Sequence, residues 1–216
     1  MTELAPGRSL VIWGCGGHGR VVLDAARAGA RFDRIAFCDD DETAEGRDIC
    51  GAEVLRGGIE AAAARGFSRF VVAVGRNDLR RRCWERALRS GLRAETCLHP
   101  TAWVSSFAAV GTGSVVLAGA IVQTGAVVGD DVIVNTAAVI EHDVRIEDHA
   151  HVSPGAVLGG GVAVGSGSHV GAGAVILPGV RVGNGSIVGA GAVVREDVPG
   201  GVTVVGVPAR IPRTRS

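Results

Sequence analysis

The hexads VGDDVI-VNTAAV-IEHDVR-IEDHAH-VSPGAV-LGGGVA, from Val128 to Ala163, decide the fold. They are the middle of a run from Val104 to Pro199 in which the first of every six residues is Val, Ile or Leu, sixteen times without interruption. The fifth position is Ala, Ser or Val throughout, and the fourth is Gly in ten of the sixteen hexads. An aliphatic residue at a fixed phase of a six-residue period signals a parallel β-helix. If position one always points inward, six residues must return the chain to an equivalent place, and three short flat faces then close one triangular coil. Stacked coils pair as parallel strands about 4.8 Å apart. Small residues at position five leave room for the aliphatic ladder, and glycine at positions two and four is expected to supply corners with positive φ. Sixteen hexads make between five and six coils, and no insertion lets a long loop project from them.

Working outward, the rest of the 216-residue chain has another texture, and two domains are expected, residues 1–98 and 99–216. The chain is apolar, poor in aromatics and without Tyr, as a core of Val, Ile and Ala requires. Its 22 basic residues are all Arg, against 22 acidic ones. Zero net charge argues against nucleic acid or a membrane surface as the main partner. No signal peptide or apolar span of about 20 residues is visible, so a cytoplasmic location is expected. The cysteines Cys15, Cys38, Cys50, Cys83 and Cys97 all precede the repeat, without CxxC spacing, and are expected to be free thiols.

The N-terminal part alternates strand and helix: strand Ser9–Trp13, helix from Arg20 to Ala28, strand Arg34–Cys38, helix Ile59–Arg65, strand Phe70–Val74 and helix Asp78–Ser90. That order implies a small Rossmann-like parallel α/β sheet with crossover helices. Gly14, Gly16 and Gly19 form G-x-G-x-x-G between the first strand and helix, with Asp39 at the end of the second strand. Glycines let a backbone approach a phosphate at a helix N-terminus. The sheet is short for a hydride-transfer enzyme, and no dehydrogenase-type substrate domain follows.

Two sets of residues carry a resemblance. The repeat, closed by the G-x-P-A-[RK] motif Gly206-Val207-Pro208-Ala209-Arg210, resembles the left-handed β-helix of hexapeptide-repeat acyltransferases. Gly16-Gly17-His18-Gly19, then Asp39-Asp40, then Gly75-Arg76-Asn77, all upstream of such a helix, resemble the bacterial nucleotide-amino-sugar N-acetyltransferases, a group that also includes sialic acid O-acetyltransferases. The resemblance spans essentially the whole chain. It implies that the α/β domain holds the nucleotide of an NDP-sugar and the β-helix carries acetyl-CoA. Gly16, Gly17 and His18 would line the nucleotide-sugar site, Asp39 and Asp40 would lie near base or ribose, and Gly75 and Asn77 at its rim. It also implies a homotrimer with acetyl-CoA between neighbouring prisms.

The chemistry falls in the coils. His142, at position three beside a corner, is expected at the surface, where an imidazole can accept the proton of an attacking amine. Asp143 beside it can orient the ring. The pair follows Val139-Ile140-Glu141 and matches the family's His-[Glu/Asp] pair. Gly160, one coil further on, offers a backbone N–H to the oxyanion of a thioester under attack. By resemblance His151 contacts acetyl-CoA near its thioester, and Ala172 and Ala190 contact CoA. His169 shares the position of His151 and should stack beside it on one edge. The glycines of Gly171-Ala172-Gly173 and Gly189-Ala190-Gly191 would leave a smooth groove for the pantetheine arm. Arg210 and Arg213 are candidates for the CoA phosphates.

The expected activity is acetyl transfer from acetyl-CoA to the 4-amino group of a UDP-, dTDP- or GDP-linked 4-amino-dideoxy sugar for surface-glycan synthesis, with no metal. Three alternatives stay open. One is O-acetylation of sialic acid or another sugar. Another is a γ-carbonic-anhydrase-like zinc enzyme using His142, His149 and His151. The third is a non-catalytic nucleotide sensor.

Overall fold

The computed structural model describes residues 8–212, so Arg213 lies outside the described residues. The chain divides into two compact units, Met1–Pro100 and Thr101–Ser216. In the first, strands β1 (Ser9–Trp13), β2 (Arg34–Cys38), β5 (Arg69–Val72) and β6 (Arg93–Ala94) form a parallel sheet in the order β2-β1-β5-β6. Leu10 to Trp13 are buried without alternation, as expected of a central strand covered on both faces. The helices are α1 (Gly17–Ala28), α2 (Gly58–Ala64) and α3 (Asn77–Arg89). Helix α3 buries Arg80, Cys83, Trp84 and Ala87, one face at helical spacing, with Trp84 edge-on to Phe70 at 5.3 Å between centroids. All five cysteines are free. An antiparallel ribbon, β3 (Asp48–Ile49) and β4 (Ala52–Glu53), escapes sequence reading because two-residue strands carry no periodicity.

The second unit is the β-helix, a stack of about six coils. Each two-residue strand pairs in parallel with the one a coil further on: Val122 lies opposite both Val104 and Ile140. Positions one and five fill the core, from Val116 and Ala120 to Ala192 and Val194. Serine is tolerated at position five because its hydroxyl finds a carbonyl there: Ser114, Ser168 and Ser186, all fully buried, donate to the carbonyls of Gly129, Gly183 and Pro199. The period ends after Pro199. Thr203–Val204 still pairs with Ile187–Val188, but sixteen residues on instead of eighteen.

Glycine has two separate reasons in this helix, which corrects the sequence reading. Every position four from Gly113 to Gly191 has φ between +52° and +75°, glycine or not. Position-two glycines have no positive φ. They are glycine because the next coil passes too close: a Cβ on Gly171 would sit 2.6 Å from Ala190 N and 2.7 Å from Val188 O. Gly173, at position four with φ +64°, has open space around its missing Cβ. Gly173→Ala should therefore cost only the left-handed backbone, about 1 kcal/mol. Gly171→Ala must force backbone apart and should cost roughly 2–3 kcal/mol. Chemical denaturation of the two variants should show that order; equal losses would contradict the two-reason account.

Candidate active site

At the N-terminal unit, the ends of three adjacent strands gather the residues singled out above. Gly14, with φ +106°, turns the chain out of β1 and donates to Cys38 O on β2 at 2.8 Å. A Cβ on Gly19 would lie 2.0 Å from Gly14 O, so Gly19 is fixed by helix packing. Gly16 and Gly17 differ: both are exposed, and nothing lies within 4 Å of where their Cβ would be. Helix α1 starts at Gly17, three residues earlier than the sequence suggested, which puts Gly17 and His18 in its first turn. That turn has no side-chain cap and no acidic residue, so no side-chain charge offsets the positive end of its dipole.

The two aspartates do different work. Asp39 Oδ2 accepts from Cys15 N–H at 2.8 Å and Oδ1 from Asp41 N–H at 3.1 Å, clamping the glycine loop to the end of β2. Burial alone would raise its pKa, but these donors outweigh it and hold the carboxyl below its ordinary value. Asp40, more exposed, pairs with Arg86 of α3 at 3.0 Å. Arg86 also grips Glu60 through two hydrogen bonds and lies 5.1 Å from the Trp13 ring. Gly75 is exposed at the end of β5, and Asn77 opens α3, its Oδ1 accepting from Arg80 at 2.8 Å.

Arg80 is fully buried, a role the run Arg80-Arg81-Arg82 conceals. Only its helical phase, in line with Cys83, Trp84 and Ala87, could have exposed it. Burial, reinforced by the Arg80 charge, pushes the His18 pKa down to about 4. His18 is thus a neutral hydrogen-bonding group near pH 7.

In the β-helix, His142 and Asp143 stand exposed on a corner, with His142 Nδ1 2.9 Å from Asp143 Oδ2. The carboxylate can only accept, so Nδ1 carries the proton and Nε2 presents its lone pair. A Cβ on Gly160 would lie 2.5 Å from His142 Nε2 and 2.6 Å from Cε1. The imidazole thus rests on the backbone of the next coil, where any side chain would displace it. The Gly160 N–H takes no part in the ladder among the described residues, whereas Gly161 N–H bonds to His142 O. Equivalent N–H groups elsewhere are captured by side chains: that of Asp130 by Asp148 at 2.8 Å and that of Ser166 by Glu147 at 3.0 Å.

His151 is placed on a flat face rather than an edge, and is only 8% exposed. It stacks on His169, with centroids 4.7 Å apart and planes 6° apart. Ala172, Gly173 and Ala190 are exposed on one further corner. Arg210 lines a cleft of about 470 Å³ with Arg195, Glu196 and Ile211, and lies 3.7 Å from Glu196. His149 is held at 2.8 Å by Asp131, a pair the sequence did not reveal. His142, His149 and His151 therefore go to separate partners, and no cluster of three His, Cys, Asp or Glu able to hold a metal occurs among the described residues.

Comparison with known proteins follows the same division. Residues 9–87 match the PglD N-terminal domain, and 125–160 and 161–196 match the six-repeat bacterial transferase hexapeptide. The chain is 41% identical over 121 residues to UDP-N-acetylbacillosamine N-acetyltransferase of Bacillus subtilis (strain 168). That match covers 51% of this chain and 52% of that protein, so it spans about half the length of the curated relative. Among solved structures, a histidine variant of perosamine N-acetyltransferase from Caulobacter crescentus, in complex with CoA and GDP-perosamine, is 38% identical. It covers 98% of this chain and 99% of its own, with a TM-score of 0.91. The acetyltransferase domain of PglB from Neisseria gonorrhoeae FA1090, in complex with acetyl coenzyme A, is 41% identical over 95% of this chain and 100% of its own, with a TM-score of 0.90. With a PglD N-terminal domain ahead of hexapeptide repeats and this near full-length likeness, the chain belongs to the acetyl-CoA-dependent sugar N-acetyltransferases of the left-handed β-helix class.

Proposed function

We propose that this chain transfers the acetyl group of acetyl-CoA to the 4-amino group of a nucleotide-linked 4-amino-dideoxy sugar, with UDP, dTDP or GDP as the nucleotide, in surface-glycan synthesis. The observation that carries this reading is the corner where His142 Nε2 lies against Gly160, its other nitrogen held by Asp143. The amine nitrogen attacks the thioester carbon, and its proton passes to His142 Nε2. Asp143 stabilises the imidazolium so formed. The carbonyl oxygen takes the negative charge and accepts from Gly160 N–H. The C–S bond then breaks, and CoA leaves as a thiolate that takes up the proton. No covalent enzyme intermediate is needed.

The open backbone at Gly16 and Gly17, at the uncapped start of α1, suits the diphosphate of the nucleotide. His18 would contribute as a neutral donor or acceptor. Asp40, and the acceptor sites that Asp39 keeps beyond its two loop hydrogen bonds, would meet base or ribose, with Gly75 and Asn77 at the rim. Ala172, Gly173 and Ala190 would line the pantetheine path, with His151 at the thioester and Arg210 toward the CoA phosphates. The resemblance of the repeat to hexapeptide-repeat acyltransferases, which are typically trimers, supports a homotrimer, which light scattering should report as three times the chain mass. A fully active monomer would remove this part of the reading. No helix of the described residues is long and apolar enough to cross a membrane, and the proposed location is cytoplasmic.

Steady-state kinetics with such a sugar nucleotide test the chemistry. His142→Ala should lower kcat about 10²–10⁴-fold, and Asp143→Asn by less. Gly160→Ala should also lower kcat, because its Cβ displaces the imidazole, while nucleotide-sugar affinity stays close to that of the unchanged protein. If His142→Ala keeps most of its kcat, the general base lies elsewhere.

His18 makes a separate prediction. Its folded pKa of about 4 lies below its ordinary value of 6.5. Above pH 6.5 it is neutral folded or unfolded and contributes nothing to pH dependence. As pH falls from 6.5 to 4 only the unfolded chain takes up the proton, so stability declines across that window. NMR should find the His18 ring unprotonated from pH 8 to 5; a midpoint near 6.5 would contradict its burial beside Arg80.

A further inference from the structure

The β-helix carries a second imidazole array, one coil strand beyond the His142 corner. His151 Nε2 lies 3.2 Å from Asn135 Nδ2, and His169 Nε2 lies 2.7 Å from Ser153 Oγ. Each contact joins a position-two residue to the position-six imidazole sixteen residues on, so the same step is taken twice. Asn135 Oδ1 accepts from Thr136 N–H at 2.8 Å. That fixes the amide, and its NH2 group must face His151. An NH2 group only donates, so His151 Nε2 must accept. The ring is then neutral and carries its proton on Nδ1. The stack agrees, since two protonated rings with centroids 4.7 Å apart would repel.

We propose that His169 is a positioning residue which, with Ser153 and Asn135, fixes the His151 imidazole in one plane and in its neutral Nδ1–H tautomer. This rests on the reading above that places His151 at the thioester of acetyl-CoA. Two histidines of neighbouring hexads are thereby set to opposite tasks. Asp143 leaves His142 with a lone pair on Nε2, fit to take a proton from the amine. Asn135 engages the Nε2 lone pair of His151 and leaves the proton on Nδ1, so that ring is unfit to compete as the base. Stacking restrains the plane of His151, and the Ser153 contact restrains the plane of His169. Neither Ser153 nor His169 needs to touch the substrate.

The experiment uses the full chain, ¹⁵N-labelled at histidine. Without ligands, NMR should show a pyridine-type Nε2 and a pyrrole-type Nδ1 on His151. Asn135→Asp, which replaces the donor by an acceptor, should move the proton to Nε2. In kinetics, His169→Ala should lower kcat/KM for acetyl-CoA about fivefold to tenfold, the worth of one well-placed hydrogen bond, with KM for the nucleotide sugar unchanged. His169→Phe keeps an aromatic stack and should recover most of that loss. A proton on Nε2 in the unsubstituted protein overturns the proposal, as does a His169→Ala variant with unaltered acetyl-CoA kinetics while His151→Ala is impaired. If His151→Ala itself leaves acetyl-CoA kinetics intact, the placement of His151 at the thioester falls first, and the proposal falls with it.

Discussion

Everything in the β-helix depends on one constraint: after six residues the chain must be turned and back in register with the coil below. The hydrogen-bond ladder between coils enforces it, and the left-handed residue at position four of each hexad from Gly113 to Gly191 makes the turn. Positions one and five are thereby committed to the core. Positions two, three and six face outward, and their neighbours lie a fixed sixteen to eighteen residues away. Chemistry can then be placed by register alone. His142 reaches the backbone of Gly160 eighteen residues on, and Asn135 reaches His151 and Ser153 reaches His169 sixteen residues on.

The same constraint shows where the fold accepts strain. The non-glycine residues at position four with positive φ are Asp131, Ala137, Asp143 and His149, four hexads in succession. A left-handed backbone costs an ordinary residue about 1–2 kcal/mol. Three of the four are spent on imidazole–carboxylate pairs. Asp143 orients His142 at the exposed corner, and Asp131 holds His149 with its own carboxylate only 1% exposed. Strain gathered in the hexads that carry the chemistry is what a site held by a rigid scaffold should show.

The β-helix was legible because its period is written in every hexad, and a repeat of sixteen hexads leaves no other register. The parallel sheet was legible from its strand–helix alternation. Details failed where a residue type has more than one physical use. Glycine at position two looked like a turn residue and is a steric necessity, because the contact that excludes a Cβ comes from a coil eighteen residues away. The part Asp39 plays in clamping the Cys15 and Asp41 N–H groups escaped the sequence, because an acid at a strand end reads first as a ligand-facing group. Arg80 was hidden among arginines. The Asp131–His149 pair was invisible because it joins two corner positions that elsewhere are mostly glycine.

The central claim is that acetyl-CoA and a nucleotide-linked 4-amino sugar react on this protein to form an amide. The direct measurement is mass spectrometry of the sugar nucleotide after incubation with acetyl-CoA and the purified full chain, with free CoA thiol followed in parallel. The account requires the sugar nucleotide to gain one acetyl group on nitrogen, stable to mild base, in step with thiol release. Acetylation on oxygen instead, or tight binding of both ligands without turnover across the amino-sugar nucleotides, would contradict it.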